Sequence, residues 1–147
     1  MTCLPFSTCF EFVNQQRAVV VCSDPKSVTN FRYENRSSDL LTLYRIDGCI
    51  IADAGAKCDF LLLNCSKNES FFIELKGSDL IRAVEQIDRS VDLLLNSISD
   101  FSINARIVLT RVNTTDLRNT KYLKFERKIQ RLGGNLKKQS RQMTEIN

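Results

Sequence analysis

The sequence of 147 residues predicts a single layered α/β domain, and three observations support that prediction. Two apolar runs, at 58–64 and 71–76, are each short enough for a strand, and residues 65–70 between them have loop composition. Downstream, apolar residues recur at helical spacing from Leu80 to Ile98. Another strand-like run and a second helical stripe follow. Strands and helices that alternate in this way are typical of layered α/β folds, and this length can bury one core.

The two apolar runs predict a hairpin that carries three charged side chains. Because side chains alternate along a strand, Glu74 and Lys76 share a face. A loop at 65–70 pairs Asn64 with Phe71. Asp59 then lies opposite Lys76, and the charged groups gather at one end of one face. A shift of one residue would move Asp59 to the other face.

Local signals bound the two predicted helices. Ser78 and Asp79 supply an N-cap and a first-turn acid, and Gly133-Gly134 ends the second helix. Between the helices, residues 103–110 predict a further strand. The apolar stripe of the first helix consists of Leu80, Val84, Ile87, Val91, Leu94 and Ile98. That of the second consists of Tyr122, Phe125, Ile129 and Leu132.

The predicted cluster has the chemistry of a magnesium site. Mg²⁺ takes one or two protein carboxylates plus water and substrate phosphate, which Asp59 and Glu74 can supply. Lys76 can then orient or help to deprotonate the attacking water and neutralise charge on a phosphorane-like transition state, while the metal polarises the phosphate. The alternative is an exposed cross-strand ion-pair pattern on the wet face of a hairpin.

Over residues 45–109 the chain resembles the PD-(D/E)xK superfamily of restriction-endonuclease-like phosphodiesterases. The signature matches Asp59, Glu74 and Lys76, although Cys58 replaces the proline before the aspartate. Gln86 lies where some branches carry a glutamine on the following helix. The resemblance implies a mixed central sheet flanked by helices and a nuclease that depends on Mg²⁺, with Mn²⁺ as a substitute. It also implies that Asp59 and Glu74 bind metal, Lys76 assists the water and Gln86 supports the site.

Many members of that superfamily carry a further glutamate on an N-terminal helix, and the sequence predicts no such helix here. Glu11 lies in the segment 10–22, which favours a strand, and Glu34 lies in 31–36, which favours strand or loop. Asp47 is a third candidate ligand, although Asp-Gly more often marks a turn.

Charge is uneven along the chain and predicts a nucleic-acid partner, most naturally DNA. Residues 111–147 carry ten Lys or Arg against three Asp or Glu, whereas residues 1–110 carry eleven against fourteen. Basic groups suit phosphate contacts that give affinity without sequence readout. A solvated helix and a basic C-terminal tail at 135–147 would show the same pattern. The candidate nucleic-acid-binding residues are Arg82, Arg89, Lys121, Lys124 and Lys128.

The remaining composition excludes several classes of site. The chain has no histidine, which removes histidine-based catalysis, and it has no glycine-rich phosphate loop. Its six cysteines include no Cys-x-x-Cys pair, so we expect buried free thiols rather than disulfides or structural zinc. With no long apolar run and no secretory signal pattern, the expected location is cytoplasmic, without membrane contact.

Three functions follow as expectations. The first is a metal-dependent nuclease acting on DNA in repair, recombination or defence against foreign DNA, as a homodimer or within a larger complex. The second is a nucleic-acid-binding module of the same fold with a degenerate site. The third is a protein-interaction or regulatory subunit. A requirement for Glu74 in metal binding separates the first from the others.

Overall fold

The computed structural model describes residues 3–75, 77–111 and 114–147, and for Thr114 it describes the backbone only. Within these ranges the strands are β1 (Phe10–Gln15), β2 (Val19–Ser23), β3 (Asn30–Glu34), β4 (Leu41–Arg45), β5 (Phe60–Asn64), β6 (Glu69–Leu75), β7 (Ser102–Leu109), β8 (Leu136–Ser140) and β9 (Gln142–Ile146). The α-helices are α1 (Leu80–Leu94) and α2 (Thr120–Arg131), and short 3₁₀ helices span Leu95–Ile98 and Thr114–Arg118.

The strands form two mixed sheets in an α/β arrangement. The large sheet has the order β1-β4-β5-β6-β7-β8, and the small sheet has the order β2-β3-β9. In the large sheet β6, β7 and β8 are parallel, whereas the other neighbours are antiparallel. The expected mixed sheet is therefore present. Both helices pack on one face of it, and the small sheet covers the other face.

Strand β6 divides its side chains between two hydrophobic cores. Phe72 packs on the helix side with Val84 and Ile87 of α1, whereas Phe71 and Ile73 pack against the small sheet. This alternation follows from the strand period of two, and it places Glu74 on the helix side with Phe72. A strand buried on both faces needs the nearly continuous apolar run that this segment has.

The predicted helices form with the predicted faces inward. All six residues of the first stripe, from Leu80 to Ile98, are buried, although α1 ends at Leu94 and Ile98 lies in the following 3₁₀ helix. The N-cap is Asp79 rather than the predicted Ser78, because the Asp79 carboxylate accepts a hydrogen bond from the amide of Arg82 at 3.0 Å. Helix α2 ends before Gly133, whose φ of +90° is a left-handed conformation that glycine adopts without strain.

The hairpin forms, but its predicted register is wrong by two residues. Asn64 pairs with Glu69 rather than Phe71, because the turn spans only 65–68 and strand β6 starts earlier than predicted. Ser70 belongs to the strand despite its polarity, since its hydroxyl donates to the carbonyl of Ser102 at 2.8 Å. A shift of two residues preserves the alternation, so Glu74 keeps its predicted face.

Three segments differ from expectation. The segment 10–22, predicted as one strand, contains β1 and the start of β2, and 31–36 contains most of β3. As predicted, no helix precedes α1 in the described part of the chain. The region 135–147, predicted as a basic tail, instead forms β8 in the large sheet and β9 in the small one.

Strand β9 is tied to the rest of the fold by buried polar contacts. Arg106 of β7 donates two hydrogen bonds to the carboxylate of Glu145, each at 2.9 Å. At its end, the Asn147 amide donates to Asn35 at 2.7 Å and to Asp39 at 2.9 Å. The pair Arg106–Glu145 therefore connects the small sheet to the large one, and Asn147 joins the end of β9 to residues more than a hundred positions earlier in the chain.

Disulfides are the clearest correction to the sequence analysis. Cys3 bonds to Cys65 and Cys9 bonds to Cys49, with Cα atoms 5.7 and 5.6 Å apart, in the usual range for such bridges. All six cysteines are described, and Cys22 and Cys58 are the buried free thiols. The pairing was missed because connectivity depends on the fold rather than on spacing. Disulfides persist in oxidising compartments, which gives one argument against the predicted cytoplasmic location.

We expect both bridges to form and to stabilise the protein. The bridges span 62 and 40 residues, and loops of that length correspond to about 4 kcal/mol each in the chain-entropy account. Alkylation of the unfolded, unreduced protein should label only Cys22 and Cys58, and reduction should lower the urea midpoint. Labelling of all six cysteines without a reductant would contradict the expectation.

No helix in the described residues is both long enough and apolar enough to cross a bilayer.

Candidate active site

A cleft of about 950 Å³ opens where β6 ends and α1 begins. Its lining includes Glu74 of β6, Arg82 and Gln86 of α1, and the loop 54–57. Thr110, just after β7, also lines it. The remaining lining residues are Asp24, Lys26, Ser27, Asp47, Gly77, Asp79 and Glu85. The polar cleft thus lies outside the carboxyl ends of parallel strands, where α/β sheets commonly bind ligands.

Glu74 is the buried carboxylate of this cleft, with a side chain only 1% exposed. Its position near the end of β6, on the helix side, follows from the alternation set by Phe71 and Phe72. Burial, together with the nearby negative charges of Glu74 and Asp59, raises the pKa of the Cys58 thiol well above its usual value. A hydrogen bond with Ser90 lowers this pKa but does not outweigh the other effects. The carboxylates of Glu74 and Asp59 therefore both lie near enough to Cys58 to raise its pKa.

Asp59 directly precedes β5 and lines a smaller cleft of about 190 Å³ beside the main one. Its Oδ2 accepts a hydrogen bond from the amide of Leu75 at 2.8 Å, which ties it to the residue after Glu74. Asp24 and Asp47 line both clefts. The two predicted metal ligands thus lie in adjoining clefts at the same end of the hairpin.

The other two predicted catalytic residues are Lys76 and Gln86. Lys76 lies outside the described residues. Gln86 is half-buried and lines the same cleft as Glu74, at the position on the following helix that was predicted for it. Its backbone carbonyl accepts the hydroxyl of Ser90 at 2.8 Å, and that hydroxyl accepts the amide of Cys58 at 2.9 Å. Helix α1 is thereby attached to the start of the hairpin.

Of the three candidate upstream acids, only Asp47 lines the clefts. The carboxylate of Glu11 lies 3.8 Å from the guanidinium of Arg45, and that of Glu34 lies 3.7 Å from the guanidinium of Arg36. The carboxylate of Asp47 stands 3.9 Å from the ammonium of Lys57, another cleft residue. Sequence reasoning missed Asp24 and Lys26 as cleft residues. The turn-like composition of Asp24-Pro25-Lys26-Ser27 indicated an exposed loop but not what that loop faces.

Arg89 holds the loop that forms one wall of the cleft. Its guanidinium donates to both carboxylate oxygens of Asp53, at 3.1 and 2.8 Å, and to the carbonyl of Ala56 at 2.8 Å. A Cβ on Gly55 would clash with this guanidinium, so any other residue there would displace the Arg89 side chain from its present position. Lys57, at the end of the loop, donates to the carbonyl of Asp53.

Replacing Arg89 with alanine should release this loop and change one pKa. The hydrogen bonds from Arg89 and from the amide of Gly55 lower the pKa of Asp53 to about 2, against an ordinary value of 3.8. Without the guanidinium, the Asp53 pKa should rise toward its ordinary value, and proteolysis within 53–57 should become faster. NMR titration of the carboxyl carbon provides the measurement. Arg82→Ala, with no contact to Asp53, is the control, and an unchanged Asp53 pKa in Arg89→Ala would contradict the assignment.

Most of the predicted nucleic-acid-binding cations form ion pairs with acids of this chain. Lys121 donates to Glu85 at 2.8 Å, and Lys128 donates to Asp88 and Asp92. These pairs, like that of Arg89, link neighbouring elements of the fold. The two others, Arg82 at the cleft and Lys124 on α2, are exposed and make no salt bridge to any described residue.

The carboxylates around the clefts are of the chemical type that binds hard cations. Asp59, Glu74 and Asp47 offer oxygen ligands, the kind that Mg²⁺ and Mn²⁺ prefer. Among the described residues, no group of three or more Asp, Glu, Cys or His side chains could hold a metal ion. A magnesium ion needs only one or two protein carboxylates when water and phosphate complete its shell.

Comparison with protein-family models, with curated proteins and with solved structures finds no match to the chain.

Proposed function

We propose that this protein is a metal-dependent nuclease of the PD-(D/E)xK type that hydrolyses phosphodiester bonds in DNA. The observation that carries the proposal is the buried carboxylate of Glu74 in the wall of a polar cleft, with Gln86 beside it and Asp59 in the adjoining cleft. Burying an acid is costly, so a carboxylate in a cleft wall is a candidate for function rather than for stability.

The local architecture supports the same proposal. The β5–β6 hairpin leads into α1, and the chain returns through β7 parallel to β6. Glu74 and Gln86 therefore line the same cleft, at the junction of strand and helix. This is the arrangement expected of a restriction-endonuclease-like core, although a small second sheet replaces helices on the other face.

Each residue has a role in the proposed reaction. Asp59 and Glu74 hold the cation, which polarises the scissile phosphate when bound. Lys76 orients the attacking water and compensates negative charge, and Gln86 supports the site by hydrogen bonding. The hydrogen bond from the amide of Leu75 fixes the orientation of the Asp59 carboxylate.

The charge of the cleft favours a metal-dependent reaction over simple phosphate binding. Its described lining includes five acids, Asp24, Asp47, Glu74, Asp79 and Glu85, against three cations, Lys26, Lys57 and Arg82. An excess of carboxylates repels phosphate. A bound divalent cation would offset this excess locally, and it would therefore favour both the chemistry and entry of the substrate.

A cleavage assay tests the proposal. Labelled linear, supercoiled, single-stranded and branched DNA, with RNA beside them, are incubated with Mg²⁺, with Mn²⁺ or with EDTA. We expect cleavage of DNA with either metal and none with EDTA, and Asp59→Asn should be inactive with an unchanged circular dichroism spectrum. Cleavage that persists in EDTA would contradict metal dependence. No cleavage of any substrate would contradict the nuclease.

A degenerate nucleic-acid-binding module is the second candidate. The observation that favours it is the lack of any cluster of three metal-binding side chains among the described residues. Binding of DNA that depends on salt but not on metal, without cleavage, would support this candidate.

A further inference from the structure

Three basic residues gather at the edge of the sheet next to the cleft. Strands β6, β7 and β8 are parallel, so their carboxyl ends lie at one edge. Arg111 follows β7 directly after the cleft residue Thr110, and Arg141 follows β8. The amide of Arg141 donates to the carbonyl of Leu109 at 2.7 Å. Lys138 lies on β8 itself. We call Arg111, Lys138 and Arg141 the basic rim.

The basic rim continues from the cleft through Thr110. The amide and the hydroxyl of Thr110 both donate to the carbonyl of Gly77, each at 2.9 Å. Gly77 and Thr110 also line the cleft. The hydrogen bonds therefore fix the start of the rim relative to the end of β6, where Glu74 lies.

The charges of the basic rim are not neutralised by described residues, and this separates them from Lys121 and Lys128 of α2. Arg111 and Arg141 are exposed, and no member of the rim forms a salt bridge within the described chain. The ammonium of Lys138 stands 5.6 Å from the ring centroid of Tyr122, a contact that positions the cation without cancelling its charge. By contrast, Lys121 and Lys128 bind carboxylates of α1.

We propose that the basic rim binds the phosphate backbone of a nucleic acid whose cleaved segment enters the cleft. An acidic cleft cannot supply most of the affinity for an extended polyanion, so cations must be placed beside it. The rim meets this need on the side of β7 and β8, whereas the five candidates from the sequence analysis lie on α1 and α2. The inference rests on the proposed nuclease function and adds the path of the substrate.

Binding measured without cleavage tests the rim. The probes are fluorescein-labelled single-stranded and duplex DNA oligonucleotides of random sequence, titrated in EDTA at several salt concentrations and followed by anisotropy. Arg111→Gln/Arg141→Gln should weaken binding about tenfold and reduce the slope of log K against log salt by about 2, one for each lost phosphate contact. The matched control is Arg127→Gln/Arg131→Gln, two exposed cations of α2, which should change binding less than twofold. Thermal melting confirms that both variants fold.

Several outcomes would overturn the proposal. Equal weakening in both variants would indicate net charge rather than a defined surface, and unchanged binding in the rim variant would place the contact elsewhere. Failure of the wild type to bind either oligonucleotide would also refute it. The cleavage assay separates the two proposals, because binding through the rim without metal-dependent cleavage would leave the rim standing and remove the nuclease.

Discussion

Replacing Arg106 with alanine is expected to destabilise the fold by about 3–5 kcal/mol, because it leaves a largely buried carboxylate without its main partner. The Arg106 side chain is 2% exposed and that of Glu145 is 14% exposed. The guanidinium also donates to the carbonyls of Ala105 and Asn135, at 3.0 and 2.9 Å, and stands 5.2 Å from the ring centroid of Phe71. One substitution thus removes contacts to both sheets. Urea unfolding followed by circular dichroism measures the loss.

Lys137 provides the control for this prediction. Its ammonium lies 3.6 Å from the carboxylate of Glu145, but its side chain is 54% exposed. Lys137→Ala should therefore lower the free energy of unfolding by less than about 1 kcal/mol. The double variant Arg106→Met/Glu145→Met removes both charges and should recover much of the loss. Equal effects of Arg106→Ala and Lys137→Ala would contradict a special role for the buried pair.

The same pair predicts how stability depends on pH. Burial opposes ionisation of Glu145, but the hydrogen bonds and charge of Arg106 outweigh it and lower the pKa of this carboxyl below its usual value of 4.5. A carboxyl whose pKa is lower in the folded state stabilises the fold above the unfolded pKa, and the contribution is lost as pH falls through the folded pKa. Wild type should therefore lose more stability than Arg106→Met/Glu145→Met on acidification below pH 4.5.

The Glu74→Gln variant should lose metal-dependent cleavage by about a hundredfold or more, which corresponds to about 3 kcal/mol of transition-state stabilisation. Glutamine keeps the shape of the side chain in this buried position but removes the charge that would hold the cation. The expected result is a lower kcat with the cleft otherwise intact. Rates with Mg²⁺ and Mn²⁺, together with isothermal titration of Mn²⁺, measure the catalytic and the binding effects separately.

Glu85→Gln is the matched control for Glu74→Gln. Glu85 lines the same cleft, but it is exposed and binds Lys121, so it should be dispensable for catalysis. Activity should then fall less than threefold. Equal losses in the two variants would indicate a general electrostatic effect of the cleft and would contradict a specific role for Glu74. Normal Mn²⁺ binding by Glu74→Gln would also contradict a role for Glu74 in holding the metal.

Elements whose signals are local were predictable from the sequence. Helix α1 has an N-cap and an unbroken apolar stripe, and the alternation along β6 follows from the residues themselves. This was enough to place Glu74 and Gln86 on the same cleft. The hairpin register failed because Ser70 and Glu69 have loop composition but find partners in the sheet. Composition does not reveal such partners.

Features that depend on contacts distant in sequence could not be predicted. The pairing of Cys9 with Cys49 requires the folded path of the chain, as does the position of Asp47 between two clefts. The same holds for β9, whose charged and polar residues predicted a solvated tail. Its pairing with β3 depends on Arg106 and Asn35, which the linear pattern gives no reason to connect with it.

The parallel pairing of β3 with β9 also determines the order in which the protein can assemble during synthesis. Asn35 and Asn147, which hydrogen bond across this junction, are 112 residues apart. Helix α1 and the β5–β6 hairpin involve near neighbours and can form while the chain is still emerging, whereas the small sheet must wait for its last strand. Until then the apolar face of β6, including Phe71 and Ile73, has no complete cover. A ribosome-bound nascent chain that ends before β9 should therefore be the species that chaperones recognise.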